Sequence, residues 1–135
     1  PILINQLNNL KNIKLKIACT ETSKEFFDFK KLKSELPSQT IFDDSDEWNA
    51  WNKKGDPVRH IQLMKWADLT LIAPLSANSL AKISNGLCDN LVTCIVRAWN
   101  YSKPMFLAPA MNTLMWQNRF TQQQLDIMKS FGETV

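Results

Sequence analysis

The sequence predicts an α/β fold, a three-layer α/β/α sandwich built around a parallel sheet. Two short apolar runs of strand length, Leu69–Ala73 and Pro104–Ala108, are each followed by a proline. Between them, apolar residues recur at spacings of three and four, which is typical of helix. Short apolar strands that are connected through helices form parallel sheets buried on both faces. We therefore interpret residues 1–135 as a single α/β domain.

The first forty or so residues alternate between helix and strand patterns. A helix is predicted with one apolar face, formed by Ile2, Leu3, Leu7 and Leu10. Alternating polar and apolar residues then predict a strand over Lys14–Cys19. A second helix, with Thr22 or Ser23 as its N-cap, is expected to bury two adjacent phenylalanines. The brief strand Thr40–Phe42 follows.

Capping signals predict three further helices. Acidic residues at 43–47 suit the positive end of a short helix. Asp56 as N-cap and Pro57 at the first helical position begin another helix. Thr121 is expected to cap the last helix, which ends at Gly132. Strands and helices thus alternate along the whole chain, as the α/β class requires.

Composition narrows the classes of function. The formal net charge of +3 is too small to indicate nucleic-acid binding, and no apolar run approaches the ~18 residues of a membrane span. The three glycines form no dinucleotide or triphosphate loop. One histidine and three scattered cysteines do not form a zinc-ligand pattern. Cys19, Cys88 and Cys94 are interpreted as reduced thiols of a cytoplasmic protein.

Two polar loops that follow predicted strands are candidate ligand-binding segments. The first loop contains Ser76, Ala77, Asn78 and Ser79 and opens the next helix. Free backbone N–H groups and small hydroxyls at a helix start can hold a phosphate or the polar edge of a flat ring. Thr20, Glu21 and Thr22 follow another strand in the same way. Plain helix capping is the alternative for both loops, and it is the more common role for such residues.

Two single residues are candidates for chemistry. His60 is the only histidine, and it lies near the start of a proline-initiated helix, where a neutral ring could act as a base. A surface or core histidine is the more common alternative. Asn112 stands in an apolar loop beside Met111, after the second apolar run. Its amide could hold a carboxylate or amide at the mouth of a pocket, or it could simply form a turn.

Three long blocks of the sequence resemble one protein family. PAMNTLMW, at 109–116, is similar to the PxMNxxMW signature of the homo-oligomeric flavin-containing cysteine decarboxylases. The supporting blocks are DEWNAWNKKGDPVRHI, at 46–61, and the stretch at 65–99. Within the family, the blocks resemble the eukaryotic members that act on 4′-phosphopantothenoylcysteine in coenzyme A biosynthesis. The resemblance implies a Rossmann-like, flavodoxin-like sheet.

The resemblance also implies a site. His60 takes the place of the catalytic histidine, and Asn112 that of the asparagine that holds the substrate carboxylate. The implied cofactor is FMN, with contacts from Thr20, Glu21, Thr22, Ser76, Ala77, Asn78, Ser79 and Ala110. A homotrimer is implied, with the active site where two subunits meet and a helix over Asn85–Trp99 packed between them. The family's first strand with its phosphate loop, and its C-terminal flap with a cysteine, are expected to lie outside these 135 residues.

The implied reaction is the FMN-dependent decarboxylation of 4′-phosphopantothenoylcysteine to 4′-phosphopantetheine. In this family the flavin oxidises the substrate to a thioaldehyde, CO2 leaves, and the enethiol is reduced again. His60 would help to form the substrate thiolate. The implied partners are the small-molecule substrate and other copies of the chain, with no nucleic acid and no membrane.

Two other functions stay open for the same fold. One is a peptidyl-cysteine decarboxylase, which the block that ends in DPVRHI disfavours. The other is an FMN-binding regulatory relative that inhibits a protein phosphatase without full catalytic activity. The presence of both His60 and Asn112 favours the enzyme over the regulator.

Overall fold

The computed structural model describes residues 2–49, 51 and 53–132. Helices and parallel strands alternate along it, so the predicted α/β class is confirmed. The strands of the described residues are β1 (Ile17–Ala18), β2 (Ile41–Phe42), β3 (Thr70–Leu75) and β4 (Met105–Pro109). Their α-helices are α1 (Ile2–Asn8), α2 (Phe29–Glu35), α3 (Asp44–Asn49), α4 (Arg59–Trp66), α5 (Ala77–Ser84), α6 (Leu91–Arg97), α7 (Thr113–Trp116) and α8 (Arg119–Ser130). No helix of the described part is long and apolar enough to cross a bilayer.

The described residues fall into two compact units. The first unit comprises the chain up to Arg59 together with Asn90–Val92. The second unit comprises His60–Asp89 and the chain from Thr93 onward. Each unit contains one pair of parallel strands and its own apolar core.

In the first unit, β1 pairs in parallel with β2, and Ile17 lies opposite Ile41. Cys19, Leu32 and Ile41 form the buried core. The strand predicted over Lys14–Cys19 is therefore found, but only two of its residues pair. The short strand predicted at Thr40–Phe42 is confirmed as β2.

The segment after β1 differs from the prediction. It forms a short 3₁₀ helix at Thr22–Phe26, with Glu21 rather than Thr22 or Ser23 at the N-cap position. Phe26 is 83% exposed, so its predicted burial is wrong, whereas the neighbouring Phe27 does pack against the core. The helix ends at Phe26, and Phe27 has extended backbone dihedrals, so the two adjacent side chains leave the chain in different directions.

In the second unit, β3 pairs in parallel with β4, from Thr70 opposite Met105 to Leu75 opposite Pro109. Helices α5, α6 and α8 supply most of the side chains that cover this pair. The buried core consists of Leu75, Leu80, Ile83, Val96, Trp99, Met105, Leu107, Leu125 and Met128. The two apolar runs that predicted these strands therefore supply the centre of this unit.

Both strands of the second unit include the proline that was expected to stop them. β3 runs through Pro74 to Leu75, with a register shift after Ile72 and a cis peptide before the proline. β4 ends on Pro109 itself. Proline lacks an N–H to donate, so it is tolerated where the ladder is irregular or where it ends.

Two predicted helix starts are wrong, one by two residues and the other by three. Helix α4 begins at Arg59 rather than at Pro57, and Asp56 instead accepts a 3.0 Å hydrogen bond from the backbone N–H of Lys53. Helix α8 is capped by Asn118 rather than Thr121. The same residue types that cap helices also form turns, which explains why their exact role could not be predicted.

The family resemblance implied a continuous helix over Asn85–Trp99, and this prediction is wrong. Helix α5 ends at Ser84, and Gly86 adopts a φ of 73°, a left-handed conformation that favours glycine. Helix α6 begins only at Leu91, whose N–H donates to Asp44 Oδ1 at 2.7 Å within the first unit. A carboxylate from a distant part of the sequence therefore supports the start of this helix.

Lys103 fixes the end of helix α4. Its ammonium group donates to the backbone carbonyls of Met64, Lys65 and Ala67 at 3.2, 3.3 and 2.6 Å. A cation at the C-terminus of a helix satisfies carbonyls that have no partner in the helix and complements the helix dipole. Since Lys103 directly precedes the segment that becomes β4, it ties α4 to the start of that strand.

Candidate functional site

The carboxyl ends of β3 and β4 lie side by side. Leu75 is paired with Pro109, and the N–H of Ala110 donates a 2.9 Å hydrogen bond to the carbonyl oxygen of Leu75. The loop at Ser76–Ser79 and the loop at Ala110–Asn112 therefore start from neighbouring positions. Ligands of open parallel sheets bind outside the carboxyl ends of the strands, where these loops lie.

The first loop begins helix α5. Ser76 is its N-cap, and the Ser76 hydroxyl accepts a 3.2 Å hydrogen bond from the N–H of Ser79. The capping role that we considered for this loop is thus present. It leaves the N–H groups of Ala77 and Asn78, in the first turn, without an acceptor from the helix itself. Capping and ligand binding are compatible at this helix start.

Asn112 is the N-cap of the short helix α7. Its Oδ1 atom accepts a 2.9 Å hydrogen bond from the N–H of Leu114. With the oxygen used in this way, the exposed end of the side chain is the Nδ2 amide, which is a pure donor. This orientation suits an acceptor such as a carboxylate.

An uncovered apolar surface follows Asn112 directly. Leu114 is 78% exposed, and Met115, Trp116 and Phe120 are also exposed. We call these four residues the α7 patch. Large contiguous apolar side chains on a surface mark a site of interaction with a ligand or with another protein.

Thr20, Glu21 and Thr22 belong to the first unit, at the end of β1. The Thr20 hydroxyl accepts from the N–H of Ser23, and the Glu21 carboxylate pairs with the Lys24 ammonium at 2.7 Å. The sequence did not single out Lys24. Its ammonium also pairs at 2.7 Å with Asp43, so it connects this loop to the end of β2.

The ion pair between Lys24 and Asp43 shifts the pKa of both groups. Burial alone would raise the pKa of Asp43, but hydrogen bonds from Lys24 and Ser45 outweigh it and lower the pKa to about 2. Burial likewise opposes the charge of Lys24, but hydrogen bonds to Asp43 and Glu21 raise its pKa. Both groups are therefore charged at neutral pH, which keeps the loop tied to the strand end.

His60 lies in the first turn of α4 in the second unit. It lines a hollow of about 190 Å³ together with Cys88, Cys94, Arg97 and Ala98. Among the described residues, the walls of this hollow include neither Asn112 nor the Ser76–Ser79 loop. Within the described residues, the cavity that contains the candidate base thus does not contain the candidate carboxylate-holding residue.

A larger cavity of about 360 Å³ adjoins helix α6. Its walls include apolar and aromatic side chains such as Ile83, Val96, Tyr101 and Phe131, and the guanidinium of Arg97. Arg97 lines both cavities, and the sequence analysis did not identify it. Its position at the end of a helix is the only sequence signal that it carries, and that signal is common to many surface arginines.

The cysteines and the possible metal ligands of the described residues were also compared with the predictions. Cys19, Cys88 and Cys94 are free thiols, as predicted. Burial raises the pKa of Cys19 to about 11, so this thiol is unreactive at neutral pH. No group of three or more metal-ligating side chains occurs within the described part of the chain.

Comparison with known proteins identifies the family of the chain. A family model described as Flavoprotein matches residues 1–135, and the chain belongs to this family. A phosphopantothenoylcysteine decarboxylase of Arabidopsis thaliana is 56% identical over 117 residues, which cover 86% of this chain and 54% of that protein. The chain spans about half the length of the curated relatives that it matches.

Two solved structures are similar to the chain. A mutant of PPC decarboxylase has a TM-score of 0.83 and 53% identity, covering 92% of this chain and 70% of that one. The FMN binding protein AtHal3 has a TM-score of 0.79 and 56% identity, covering 87% of this chain and 63% of that one. These likenesses confirm the predicted Rossmann-like α/β class.

Proposed function

We propose that this chain is the FMN-binding part of a carboxy-lyase that converts 4′-phosphopantothenoylcysteine to 4′-phosphopantetheine in coenzyme A biosynthesis. Membership of the flavoprotein family, a relative named for this decarboxylation and a relative named for FMN binding all support the proposal. We propose further that residues 1–135 form one flavoprotein domain that acts in the cytoplasm. Three free thiols are consistent with that compartment.

The observation that carries the proposal is the pairing of two donor-rich loops at the strand ends. The hydrogen bond from Ala110 to Leu75 fixes the loops beside each other, and the cap at Asn112 turns its amide donor outward. A carboxylate bound by Nδ2 of Asn112 would lie next to a ligand bound at the start of α5. Decarboxylation by a bound cofactor needs this kind of arrangement.

The donor chemistry of these loops fits FMN. The polar edge of the flavin ring carries carbonyl oxygens and an N–H, and the start of α5 offers backbone N–H groups and serine hydroxyls. We propose FMN contacts from Ser76, Ala77, Asn78, Ser79 and Ala110, and, on the family resemblance, from Thr20, Glu21 and Thr22. When bound, FMN supplies a reversible acceptor for a hydride.

In the proposed reaction, Asn112, His60 and the α7 patch have different roles. Asn112 donates from Nδ2 to the substrate carboxylate and so fixes the carbon–carbon bond that breaks. His60 takes the proton from the substrate thiol and steadies the thiolate. The α7 patch, once covered, excludes water from the carboxylate. Loss of a charged carboxylate as neutral CO2 is favoured where water is excluded.

We propose that a homotrimer completes the active site. Among the described residues, the hollow lined by His60 does not include Asn112, and the α7 patch is uncovered. A site formed where two copies meet would bring His60 of one copy to the loops of another. It would also bury the patch, and closed cyclic symmetry is the usual arrangement for such repeated contacts.

The experiment that tests the proposed function is a decarboxylation assay on the flavin-loaded, full-length protein. With 4′-phosphopantothenoylcysteine, we expect equal amounts of CO2 and 4′-phosphopantetheine, measured by mass spectrometry. A peptide that ends in cysteine should give no product. A protein that holds FMN but releases no CO2 from either compound would contradict the enzyme.

A regulatory flavoprotein is the second candidate, because one solved relative is named only as an FMN binding protein. In that case FMN would bind with ordinary affinity and the decarboxylation assay would stay at the background rate. The assay therefore separates the two candidates directly.

A further inference from the structure

Arg97 stands between the two cavities of the second unit. It is the last residue of α6 and lines both the hollow beside His60 and the larger cavity. The backbone of Gly86 lies close to its guanidinium, since a Cβ atom added to Gly86 would lie 3.7 Å from Nη1 of Arg97. The guanidinium therefore lies within van der Waals reach of the loop that follows α5.

Among the described residues, the walls of the two cavities contain no aspartate, glutamate or lysine. No ion pair found within the described part of the chain includes Arg97. Arg97 is an exposed residue at the edge of both cavities, so an anion can reach its guanidinium from solvent.

The larger cavity has room for a small molecule. Its volume of about 360 Å³ lies in the range of small-molecule pockets. Tyr101 and Phe131 contact each other there, with ring centroids 5.6 Å apart, and form an apolar wall. A ligand with an aliphatic arm and a terminal anion would place the arm on this wall and the anion at Arg97.

We propose that Arg97 binds a phosphate monoester. A planar guanidinium can donate two parallel hydrogen bonds to phosphate oxygens, which a neutral amide cannot reproduce. This inference rests on the proposed function, because that function supplies two such groups, the 4′-phosphate of the substrate and the phosphate of FMN. The chemistry at Arg97 is the same for both, and the experiment separates them.

The test compares the Arg97→Gln variant with the wild-type full-length protein, and uses Arg119→Gln as a matched control. Arg119 is an exposed arginine of α8 that lines neither cavity. Calorimetry measures the affinity for 4′-phosphopantothenoylcysteine and for pantothenoylcysteine, which lacks the phosphate. Fluorescence quenching measures the affinity of the flavin-free protein for FMN and for riboflavin. Neither measurement requires turnover, so a failed decarboxylation assay would not decide this result.

We expect Arg97→Gln to weaken binding of one phosphorylated compound by about 10- to 100-fold, with its unphosphorylated counterpart unchanged. If only 4′-phosphopantothenoylcysteine loses affinity, Arg97 binds the 4′-phosphate of the substrate. If only FMN loses affinity, Arg97 binds the phosphate of FMN. Arg97→Lys should restore part of the affinity. An equal loss for phosphorylated and unphosphorylated compounds, or no loss, would overturn the proposal, as would the same loss in Arg119→Gln.

Discussion

The N–H of Ala110 donates a 2.9 Å hydrogen bond to the carbonyl oxygen of Leu75. This bond continues the parallel ladder one residue beyond β4 and joins two loops that are separated by more than thirty residues in the sequence. Leu75 is completely buried, so the bond is shielded from water. The two loops are consequently held at a fixed separation before any ligand binds.

Asn112→Asp should weaken substrate binding strongly. An aspartate caps α7 as well as asparagine does, but its charge would repel the substrate carboxylate. We expect a rise in the dissociation constant of about 100-fold, measured by calorimetry. The control is Asn118→Asp, since Asn118 caps α8 with the same geometry and accepts from Phe120 at 3.0 Å. Equal effects of the two substitutions would remove Asn112 from the substrate site.

His60→Asn should abolish CO2 release while FMN stays bound. If His60 and Asn112 of different copies form each site, His60→Asn chains should complement Asn112→Asp chains at a substrate concentration too low for the weakened Asn112→Asp site. Random mixing in one oligomer should restore about a quarter of the sites, because each site draws one residue from each copy. Co-expression followed by the decarboxylation assay measures this recovery. Mixed oligomers without activity would contradict the shared site.

Acid should destabilise the protein through Asp43. The pKa of Asp43 in the folded protein is about 2, below the ordinary value of 3.8. The stability that its ionised carboxylate contributes is therefore fully present above pH 4 and is lost as the pH falls from 4 to 2. This difference in pKa corresponds to about 2 kcal/mol of unfolding free energy. Asp43→Asn should lower the free energy of unfolding by that amount at pH 7 and flatten its dependence on pH below 4. Urea denaturation provides the measurement, with the exposed Asp68→Asn as a control that should change neither.

Lys103→Met should loosen the helix that carries His60. The change keeps the aliphatic stem but removes the ammonium that binds three carbonyls at the end of α4. We expect a loss of about 1–3 kcal/mol of unfolding free energy and faster amide hydrogen exchange in the last turn of α4. Lys65→Met, at an exposed position of the same helix, is the control. Unchanged exchange in α4 would show that the helix is held by its packing alone.

Alkylation should distinguish the exposed thiol of Cys88 from the buried thiol of Cys19. Cys88 is exposed, whereas Cys19 is buried and its pKa is raised to about 11. We expect iodoacetamide at pH 8 to modify Cys88 within minutes and to leave Cys19 intact until the protein unfolds. Mass spectrometry of peptides from a time course gives the order. Modification of Cys19 at the rate of Cys88 would contradict the buried core of the first unit.

The sequence predicted the features that depend on local pattern. The apolar runs before Pro74 and Pro109 and the cap at Ser76 are visible in consecutive residues, and the structure contains all three. The strands nevertheless include their prolines, since strand pairing and not the single residue decides where a ladder ends.

The features that sequence analysis missed depend on contacts between distant residues. Asp44 accepts from the start of α6, 47 positions away, and Lys103 binds carbonyls near the end of α4. Arg97 lines two cavities only because of how α6 packs in the second unit. Local spacing carries no information about such partners. The candidate residues named from the family resemblance could be located in the structure, but how they act together is part of the proposed trimer.

The α7 patch has a practical consequence for anyone who expresses this chain by itself. An indole, a phenyl ring, a thioether and an isobutyl group left in water will drive molecules together as the solution is concentrated. Sedimentation velocity across a dilution series should therefore precede every titration, so that self-association is not mistaken for affinity.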